Sequence, residues 1–247
     1  SDHHRDLHSF PTRRSSDLNH GINGVEVRGV EDPNGGVRKF IFKAQEDEYG
    51  AVLRKGIPQG EQFLRERAGY VLNKIVGLNN RPAVVLRHVD GKIGAAVDFI
   101  PNAVHINEAV GPFPDIEWQK LAVHQWLCAN GDGHKYNLMC DDQNKKLYAI
   151  DDGLAFPELF VKNGATYRSW AHNVCNQKGL LNLPQEIMKN ITPANRDKVI
   201  DNMKLLGLGK KAQDVVKYRF DYLIKNGNLP QYQGYDEYDG KLSGEGV

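Results

Sequence analysis

The sequence has few cysteines, no long hydrophobic run and almost no net charge, and each shortage excludes a class of protein. Its three cysteines, Cys128, Cys140 and Cys175, form no CxxC pair, which argues against a disulfide framework and a cysteine zinc site. No run approaches the ~20 apolar residues of a membrane helix. The formal net charge is +1, so we expect no surface that coats nucleic acid. Together these features predict a cytoplasmic protein without a transmembrane segment or a nucleic-acid partner.

The two ends of the chain differ from the rest in composition. The 247 residues suffice for one large domain or for two small lobes that share a cleft. Residues 1–18 contain three histidines, four serines and three arginines, without the apolar stretch of a secretory signal. We interpret this segment as a disordered, tag-like artefact and exclude its histidines as metal ligands. From about residue 231 onward we expect a loose tail, flexible over 236–247.

The first part of the chain predicts a hairpin. Residues 24–30 and Val37–Ala44 read as two strands with apolar residues among polar ones. Between them, Glu31–Gly36 (EDPNGG) contains proline, asparagine and glycine, which supply the dihedral angles of a tight turn. This region is therefore expected to begin an antiparallel sheet.

A helix and a second hairpin follow. Ala83–Val89 and Lys92–Phe99 are joined by Asp90-Gly91, a strong hairpin signal. A helix is predicted over Gln59–Gly77, because apolar residues fall on one stripe at steps of four, four and three. These residues are Leu64, Ala68, Leu72 and Ile75. The segment thus predicts a small antiparallel sheet with one helix.

After Pro101 the pattern becomes mainly helical. Ile116–Ala129 is apolar on nearly all sides in its second half, which predicts a buried helix. Two short strands are predicted over Asn137–Cys140 and Lys146–Ile150. Further helices are predicted near 166–176, 193–206 and 209–226, the second of them with Thr192 as N-cap and Pro193 at its first position.

The most informative stretch is Asn130–Pro157, directly after the buried helix. Asp132 and Asn137 are five residues apart, a short hairpin follows, and then comes Asp151-Asp152-Gly153. Phosphoryl transfer needs metal ions on phosphate oxygens and a group that orients the attacking hydroxyl, and Mg²⁺ prefers oxygen ligands. This order of residues is that of kinase catalytic and metal-binding loops.

The stretch resembles the phosphatidylinositol 3-/4-kinase-like family of the protein-kinase-like superfamily, and most closely the bacterial kinases similar to type II phosphatidylinositol 4-kinases. In that family the catalytic loop reads roughly Asp-Arg-His-x-x-Asn, and the metal loop Asp-x-Gly occurs in a sequence close to IDNGLAF. Here the matching residues are Asp132-Gly133-His134…Asn137 and 150–156 (IDDGLAF). The resemblance covers about residues 22–160 in order and is tight over 130–157.

The resemblance implies an α+β, two-lobed protein-kinase-like fold. Its small N-lobe, an antiparallel sheet with one helix, would cover 19–100. Its mainly helical C-lobe would cover 101–235 and carry the catalytic and metal loops, with ATP between the lobes.

The resemblance also implies a role for each residue of these loops. Asp151 would coordinate Mg²⁺ on the β/γ-phosphates, and Asn137 would assist at a second metal position. Asp132 would orient or deprotonate the acceptor hydroxyl. His134 would share that task or stabilise the transferring phosphoryl group.

Upstream residues would bind the rest of the nucleotide. Lys43 would contact the α/β-phosphates, positioned by an ion pair with Glu66. Gly35 and Gly36 belong to the turn expected over the phosphates, where backbone N–H groups are donors.

The adenine end and the activity follow from the same resemblance. Phe99 and Ile100 would form the hinge, whose backbone could bind the adenine edge. The predicted activity is transfer of the γ-phosphoryl of ATP, with Mg²⁺, to a hydroxyl. The acceptor is a protein, a lipid or a small molecule, and its class stays open.

Several alternatives remain at this point. Gly133 stands where the family has arginine, which keeps open a nucleotide-binding pseudokinase that acts as an interaction module. An AMP transferase on the same fold and a coincidental turn motif are further alternatives. Asp152 could replace Asp151, and Glu61 could replace Glu66. His124, on the apolar helix, is expected to be a core histidine.

Overall fold

The structure, a computed structural model, describes residues 26–31, 36–48, 54–159 and 167–231. The tag-like segment 1–18, Gly35 in the predicted turn and the tail 236–247 lie outside the described residues. What the sequence predicts for them stays a prediction.

Within the described residues, the first sheet has four antiparallel strands in the order β1-β2-β4-β3. Both predicted hairpins are confirmed, because β1 pairs with β2 and β3 pairs with β4. Asp90 and Gly91 both have positive φ, 51° and 80°, as the tightest hairpin turns require. The strands are β1 (Glu26–Glu31), β2 (Val37–Ala44), β3 (Val84–Val89) and β4 (Lys92–Asp98).

Helix α1 (Gln62–Val76) packs against this sheet. Phe63, at the start of the helix, lies in one buried cluster with Val84 of β3 and Val97 of β4. The helix ends where the sequence predicts, because Gly77 takes a left-handed φ of 70° and glycine tolerates this conformation best.

The start of α1 differs from the predicted Gln59. Glu48 lies before the helix in sequence, and its carboxylate accepts hydrogen bonds from the N–H groups of Gln62 and Phe63 at 2.8 and 2.7 Å. These N–H groups have no partner within the helix. A carboxylate outside the helical pattern therefore decides where the helix begins.

The described residues from 104 onward form a second, three-stranded sheet in the order β5-β6-β7 and five helices. The strands are β5 (Val104–His105), β6 (Leu138–Asp141) and β7 (Lys146–Ala149). The helices are α2 (Asp115–Leu127), α3 (Trp170–Gln177), α4 (Gln185–Met188), α5 (Pro193–Leu205) and α6 (Lys210–Asn226).

Helix α2 is the centre of the main core. Leu121, Ala122, Val123 and Leu127 are completely buried, which confirms the predicted buried helix. In the parts of the chain that the structure describes, no helix has both the length and the apolar character to cross a membrane.

Sequence patterns miss two short elements and misplace the ends of two helices. Strand β5 has two residues and helix α4 has four, too few to give a periodic signal. The buried helix ends at Leu127 and not at Ala129, since Ala129 has a φ of 48°. Helix α3 begins at Trp170 because the side chain of Ser169 accepts the N–H of His172, an N-cap that ends the extended segment before it.

The burial of α2 generates a stability prediction. Leu121→Ala removes a completely buried side chain and should lower the free energy of unfolding by about 2–5 kcal/mol, through lost transfer energy and a cavity. The matched control is Leu205→Ala in α5, where the side chain is 86% exposed and the change should stay within about 0.5 kcal/mol. Urea unfolding of both variants measures this, and equal losses would contradict the placement of the core.

Candidate active site

The hairpin β6-β7 brings the two predicted loops to the same place. Asn137 directly precedes β6, and Ile150 directly follows β7. The N–H of Ile150 donates to the carbonyl of Asn137 at 3.2 Å, and Leu138 lies opposite Ala149 in the ladder. Asp151, the next residue, therefore begins the metal loop beside the end of the catalytic loop.

Two side chains flank the carboxylate of Asp132 in the catalytic loop. Asn137 Nδ2 donates to Asp132 Oδ2 at 2.9 Å and to the Asp132 carbonyl at 2.9 Å. On the other side, His134 Nε2 lies 3.1 Å from Asp132 Oδ1. Because its amide nitrogen faces Asp132, Asn137 keeps its side-chain oxygen as the atom available to a metal ion.

Burial and the charge of Asp132 act in opposite directions on His134. Burial lowers the pKa of the imidazole, while the hydrogen bond and the negative charge of Asp132 raise it. Together with the charge of Asp151 and a backbone hydrogen bond, the contributions of Asp132 outweigh burial, so the pKa of His134 lies above its usual value.

Lys43, near the end of β2, lies between two carboxylates. Its ammonium pairs with Glu66 Oε1 on α1 and lies 3.1 Å from Asp151 Oδ2. Burial lowers the pKa of Lys43, but Asp151 and Glu66 raise it by more, so the side chain carries its charge at neutral pH. Glu61, the alternative partner from sequence, pairs with Arg65 instead.

The two neighbouring aspartates of the metal loop differ in exposure. The side chain of Asp151 is 32% exposed and that of Asp152 is completely buried. Burial raises the pKa of Asp151, but the charge of Lys43 and several hydrogen bonds, among them one from the Gly153 N–H, together lower it by more, so it lies below its usual value. Asp151 thus lines the cleft as an ionised carboxylate, whereas Asp152 contacts Arg81 and His124 inside the protein.

Sequence reasoning missed Arg81, which lies in the loop before β3. Its guanidinium pairs with Glu66 through Nη2, lies 2.9 Å from Asp152 Oδ2 through Nε, and donates to the Ala149 carbonyl through Nη1 at 2.9 Å. No motif or spacing in the Asn79–Pro82 segment indicates this role. Its only sequence signal is a lone arginine between a helix and a strand.

The predicted nucleotide-binding backbone groups lie at the ends of strands. Gly36 is exposed directly before β2. Phe99 and Ile100 directly follow β4, and the N–H of Phe99 already donates to the Lys39 carbonyl at 3.2 Å. Contact of these residues with a nucleotide stays a prediction, and for Phe99 the N–H is engaged within the sheet.

No family model and no curated protein sequence matches this chain. Among solved structures, the proinflammatory kinase CtkA of Helicobacter pylori is similar with a TM-score of 0.50 at 13% identity, over 90% of this chain and 93% of that one. The chain has a protein-kinase-like fold. At this identity the likeness concerns the fold alone. The FAT and kinase domains of CtTel1 align with a TM-score of 0.47 at 10% identity, over 88% of this chain and 23% of that one.

In this kinase-like fold the first sheet and α1 form the small lobe, and the second sheet with α2–α6 forms the large lobe. A small cleft between them is lined by both lobes. Its lining includes Lys43, Glu48, Gln62, Glu66 and Asp151. Lys43 and Glu66 of the small lobe therefore face Asp151 of the large lobe in this cleft, whereas Asp132, His134 and Asn137 are not among its lining residues.

Packing explains the glycine that departs from the kinase pattern. A Cβ at Gly133 would lie 2.4 Å from the carbonyl oxygen of Arg168, and the Gly133 carbonyl accepts the N–H of Trp170 at 2.7 Å. An arginine therefore does not fit this backbone. Instead Arg54, from before α1, donates to the carbonyls of Ala129 (2.7 Å) and Leu154. A guanidinium from another segment thus anchors the same loop region.

The histidine on α2 belongs to a buried network. His124 Nε2 lies 3.0 Å from Asp152 Oδ2, and Nδ1 lies 3.2 Å from Asn73 Nδ2. Side-chain atoms of His124, Cys128 and Asp152 lie within 4.8 Å of one another. Burial raises the pKa of the Cys128 thiol well above its usual value, and Asp152 already pairs with Arg81. We interpret the cluster as a core network and not as a metal site, in line with the core histidine predicted from sequence.

The close approach of α1 to Asp152 generates a prediction on Gly69. A Cβ there would lie 2.0 Å from Asp152 Oδ2. Gly→Ala in a helix ordinarily stabilises by about 1 kcal/mol, but Gly69→Ala should destabilise by about 1–3 kcal/mol through overpacking. In an Asp152→Ala background the same substitution should be neutral or stabilising. Chemical denaturation of the four proteins of this cycle checks the expectation, and additive effects would contradict it.

The raised pKa of His134 generates a pH prediction. A histidine whose pKa is higher in the folded state adds stability below its unfolded pKa, about 6.5, and this contribution is lost as pH rises through the folded pKa. The free energy of unfolding of the native protein should therefore exceed that of His134→Gln by the largest amount below about pH 6.5. Unfolding by urea across pH 5–9 measures the difference. With Asp132→Asn in both proteins, the difference in unfolding free energy should no longer depend on pH in this way. An unchanged pH dependence would disprove the pairing of His134 with Asp132.

Proposed function

We propose that this chain is an ATP- and Mg²⁺-dependent phosphotransferase, which moves the γ-phosphoryl group of ATP to a hydroxyl of an acceptor. One observation carries the proposal. The ammonium of Lys43 is held by the buried Glu66 of the small lobe and lies 3.1 Å from Asp151 of the large lobe. A cation and a carboxylate so placed can bind phosphate oxygens and their metal ion at one point.

The chemistry of the donors fits Mg²⁺. Asp151 offers a partly exposed carboxylate, and Asn137 offers an amide oxygen from the adjacent loop. Both are oxygen ligands of the kind that Mg²⁺ prefers. When bound, Mg²⁺ would neutralise charge on the β- and γ-phosphate oxygens. Lys43 would bind the α/β-phosphates, and the turn with Gly35 and Gly36 would cover them.

Asp132 supplies the group that meets the acceptor. Its carboxylate would accept a hydrogen bond from the hydroxyl and take its proton as the new oxygen–phosphorus bond forms. The bond between the γ-phosphorus and the β–γ bridging oxygen would break in the same transfer, with ADP as the leaving group. Asn137 and His134 hold its two oxygens, so the orientation exists before the acceptor arrives. His134, with its raised pKa, would add positive charge beside the transferring group.

The adenine site and the limits of the lobes belong to the same proposal. The backbone at Phe99 and Ile100, where the chain leaves β4, would contact the adenine edge. The small lobe would cover residues 19–100 and the large lobe 101–235, which places the hinge at the boundary. The acceptor would be a protein, a lipid or a small molecule.

A thermal unfolding experiment with and without Mg²⁺ and ATP tests the proposal without knowledge of the acceptor. Ligand at a hundred times its dissociation constant stabilises the folded state by ~2.7 kcal/mol. This should raise the midpoint by roughly 5–10 °C for a domain of this size. The shift should require Mg²⁺ and should disappear in Asp151→Asn. Asp201→Asn, an exposed carboxylate in α5, is the control and should retain it.

The outcomes separate binding from catalysis. No shift in the native protein at millimolar ATP would leave the proposal without its cofactor and contradict it. Binding followed by release of ADP in the presence of an acceptor supports phosphoryl transfer, whereas release of pyrophosphate indicates AMP transfer. Binding without turnover across an acceptor screen would instead support a non-catalytic nucleotide-binding module.

A further inference from the structure

One guanidinium joins three elements at the back of the cleft. Arg81 is completely buried, and its Nη2 pairs with Glu66 Oε2 on α1. Its Nε lies 2.9 Å from Asp152 Oδ2 in the metal loop, and its Nη1 donates to the Ala149 carbonyl at the end of β7 at 2.9 Å. A guanidinium is planar and donates in fixed directions, here to Glu66 and to the Ala149 carbonyl, while its charge attracts Asp152. The helix, the strand end and the metal loop are therefore held in one relative position.

Arg81 also determines what Glu66 can do. Glu66 Oε1 pairs with Lys43 and Oε2 pairs with Arg81, so each oxygen has its own cation. The carboxylate is 1% exposed, and a buried carboxylate oxygen without a partner is costly. Without Arg81, Glu66 would turn toward other donors, and the ammonium of Lys43 would lose its fixed partner.

The balance of charge also indicates that the arrangement of Lys43 and Glu66 depends on Arg81. Three carboxylates, of Glu66, Asp151 and Asp152, face two cations, Lys43 and Arg81. One negative charge is left in excess, at the cleft where Asp151 is exposed. Loss of Arg81 would raise this excess to two negative charges, which would oppose the approach of a phosphate group to the ammonium of Lys43.

Asp152, the partner of Arg81 in the metal loop, is itself held by side chains of the large lobe. Its oxygens lie 3.2 and 3.0 Å from His124 Nε2 on α2, and Asn130 Nδ2 donates to Oδ1 at 3.0 Å. The same Asn130 nitrogen donates to the Asp151 carbonyl at 2.7 Å. A displacement of Asp152 would therefore also displace the backbone that carries the cleft aspartate.

We propose that Arg81 is a positioning residue for the phosphate-binding lysine, since it fixes Glu66, and through Glu66 the ammonium of Lys43, against the metal loop. The statement that Lys43 binds phosphate rests on the proposed function. The coupling of Arg81 to Lys43 through Glu66 can be measured without any nucleotide.

The first test is a double-mutant cycle on Mg·ATP affinity, measured by calorimetry. Arg81→Met should weaken binding roughly tenfold in the native background. With Glu66→Gln already present, it should have little further effect, because the path through Glu66 is already broken. Arg81→Lys keeps the charge but cannot reach all three partners, so it should restore only part of the affinity. If Arg81→Met does not fold, Arg81→Lys replaces it in the same double-mutant cycle.

Arg196→Met is the matched control. Arg196 is in α5 and pairs with Asp197 and Asp221. Its loss should leave Mg·ATP affinity within about twofold. Equal weakening by Arg81→Met in both Glu66 backgrounds would show that Arg81 does not act through Glu66. Equal weakening by Arg196→Met would show a general effect of lost stability. Either result overturns the proposal.

The second test uses the side-chain ¹⁵N resonance of the Lys43 ammonium in the nucleotide-free protein, assigned by its absence in Lys43→Arg. A held ammonium exchanges slowly enough to be seen, so the resonance should be present in the native protein and in Arg196→Met. It should broaden or vanish in Arg81→Met. An unchanged resonance in Arg81→Met, or none in the native protein, overturns the proposal. Because no ATP is present, this outcome is independent of whether the chain is a phosphotransferase.

Discussion

The ion pairs of the Glu66 carboxylate determine how the rest of this structure can be arranged. A carboxylate buried to this degree is tolerated in a protein only when charge and hydrogen bonds compensate its desolvation. Here Lys43 comes from the sheet of the small lobe and Arg81 from the loop before β3, and each takes one oxygen. Helix α1 cannot rotate or shift along its axis without breaking one of these pairs. Its position relative to the sheet follows from this constraint together with apolar packing.

The same constraint extends into the large lobe. Arg81 contacts Asp152, and Asp152 contacts His124 on the buried helix α2. Because α1 carries glycine at position 69, its backbone approaches Asp152 more closely than any side chain would allow. The two lobes of the kinase-like fold are thus joined behind the cleft by a continuous set of charged and polar groups. In front of it, Asp151 stays partly exposed.

The loop that the sequence predicts to be catalytic is held by backbone contacts of a different kind. Gly133 lies against the carbonyl of Arg168, which leaves no room for a side chain. Arg54 approaches from before α1 and donates to the carbonyls of Ala129 and Leu154. The departure of Gly133 from the family pattern therefore has a steric cause in this fold.

Much of the fold could be predicted from local patterns. Alternation of apolar residues and the turn at Asp90-Gly91 predicted the hairpins, and the apolar stripe with its terminal Gly77 predicted most of α1. Glu48 as the cap of α1, and the short elements β5 and α4, were missed. A cap supplied from fourteen residues away leaves no signal within the helix, and elements of two or four residues contain no complete period.

For the candidate site, the sequence by itself determined which reactive residue types are present and in which order. Asp132, Asn137 and Asp151 are spaced as in kinase loops, and a strand lysine precedes a helical glutamate. Only the tertiary structure decided which of the two adjacent aspartates faces the cleft. It also decided that Arg81 joins Glu66 to the metal loop. The reason is physical: spacing along the chain specifies residue types and local geometry, whereas burial and the pairing of distant charges arise only when helix, sheet and loops pack together.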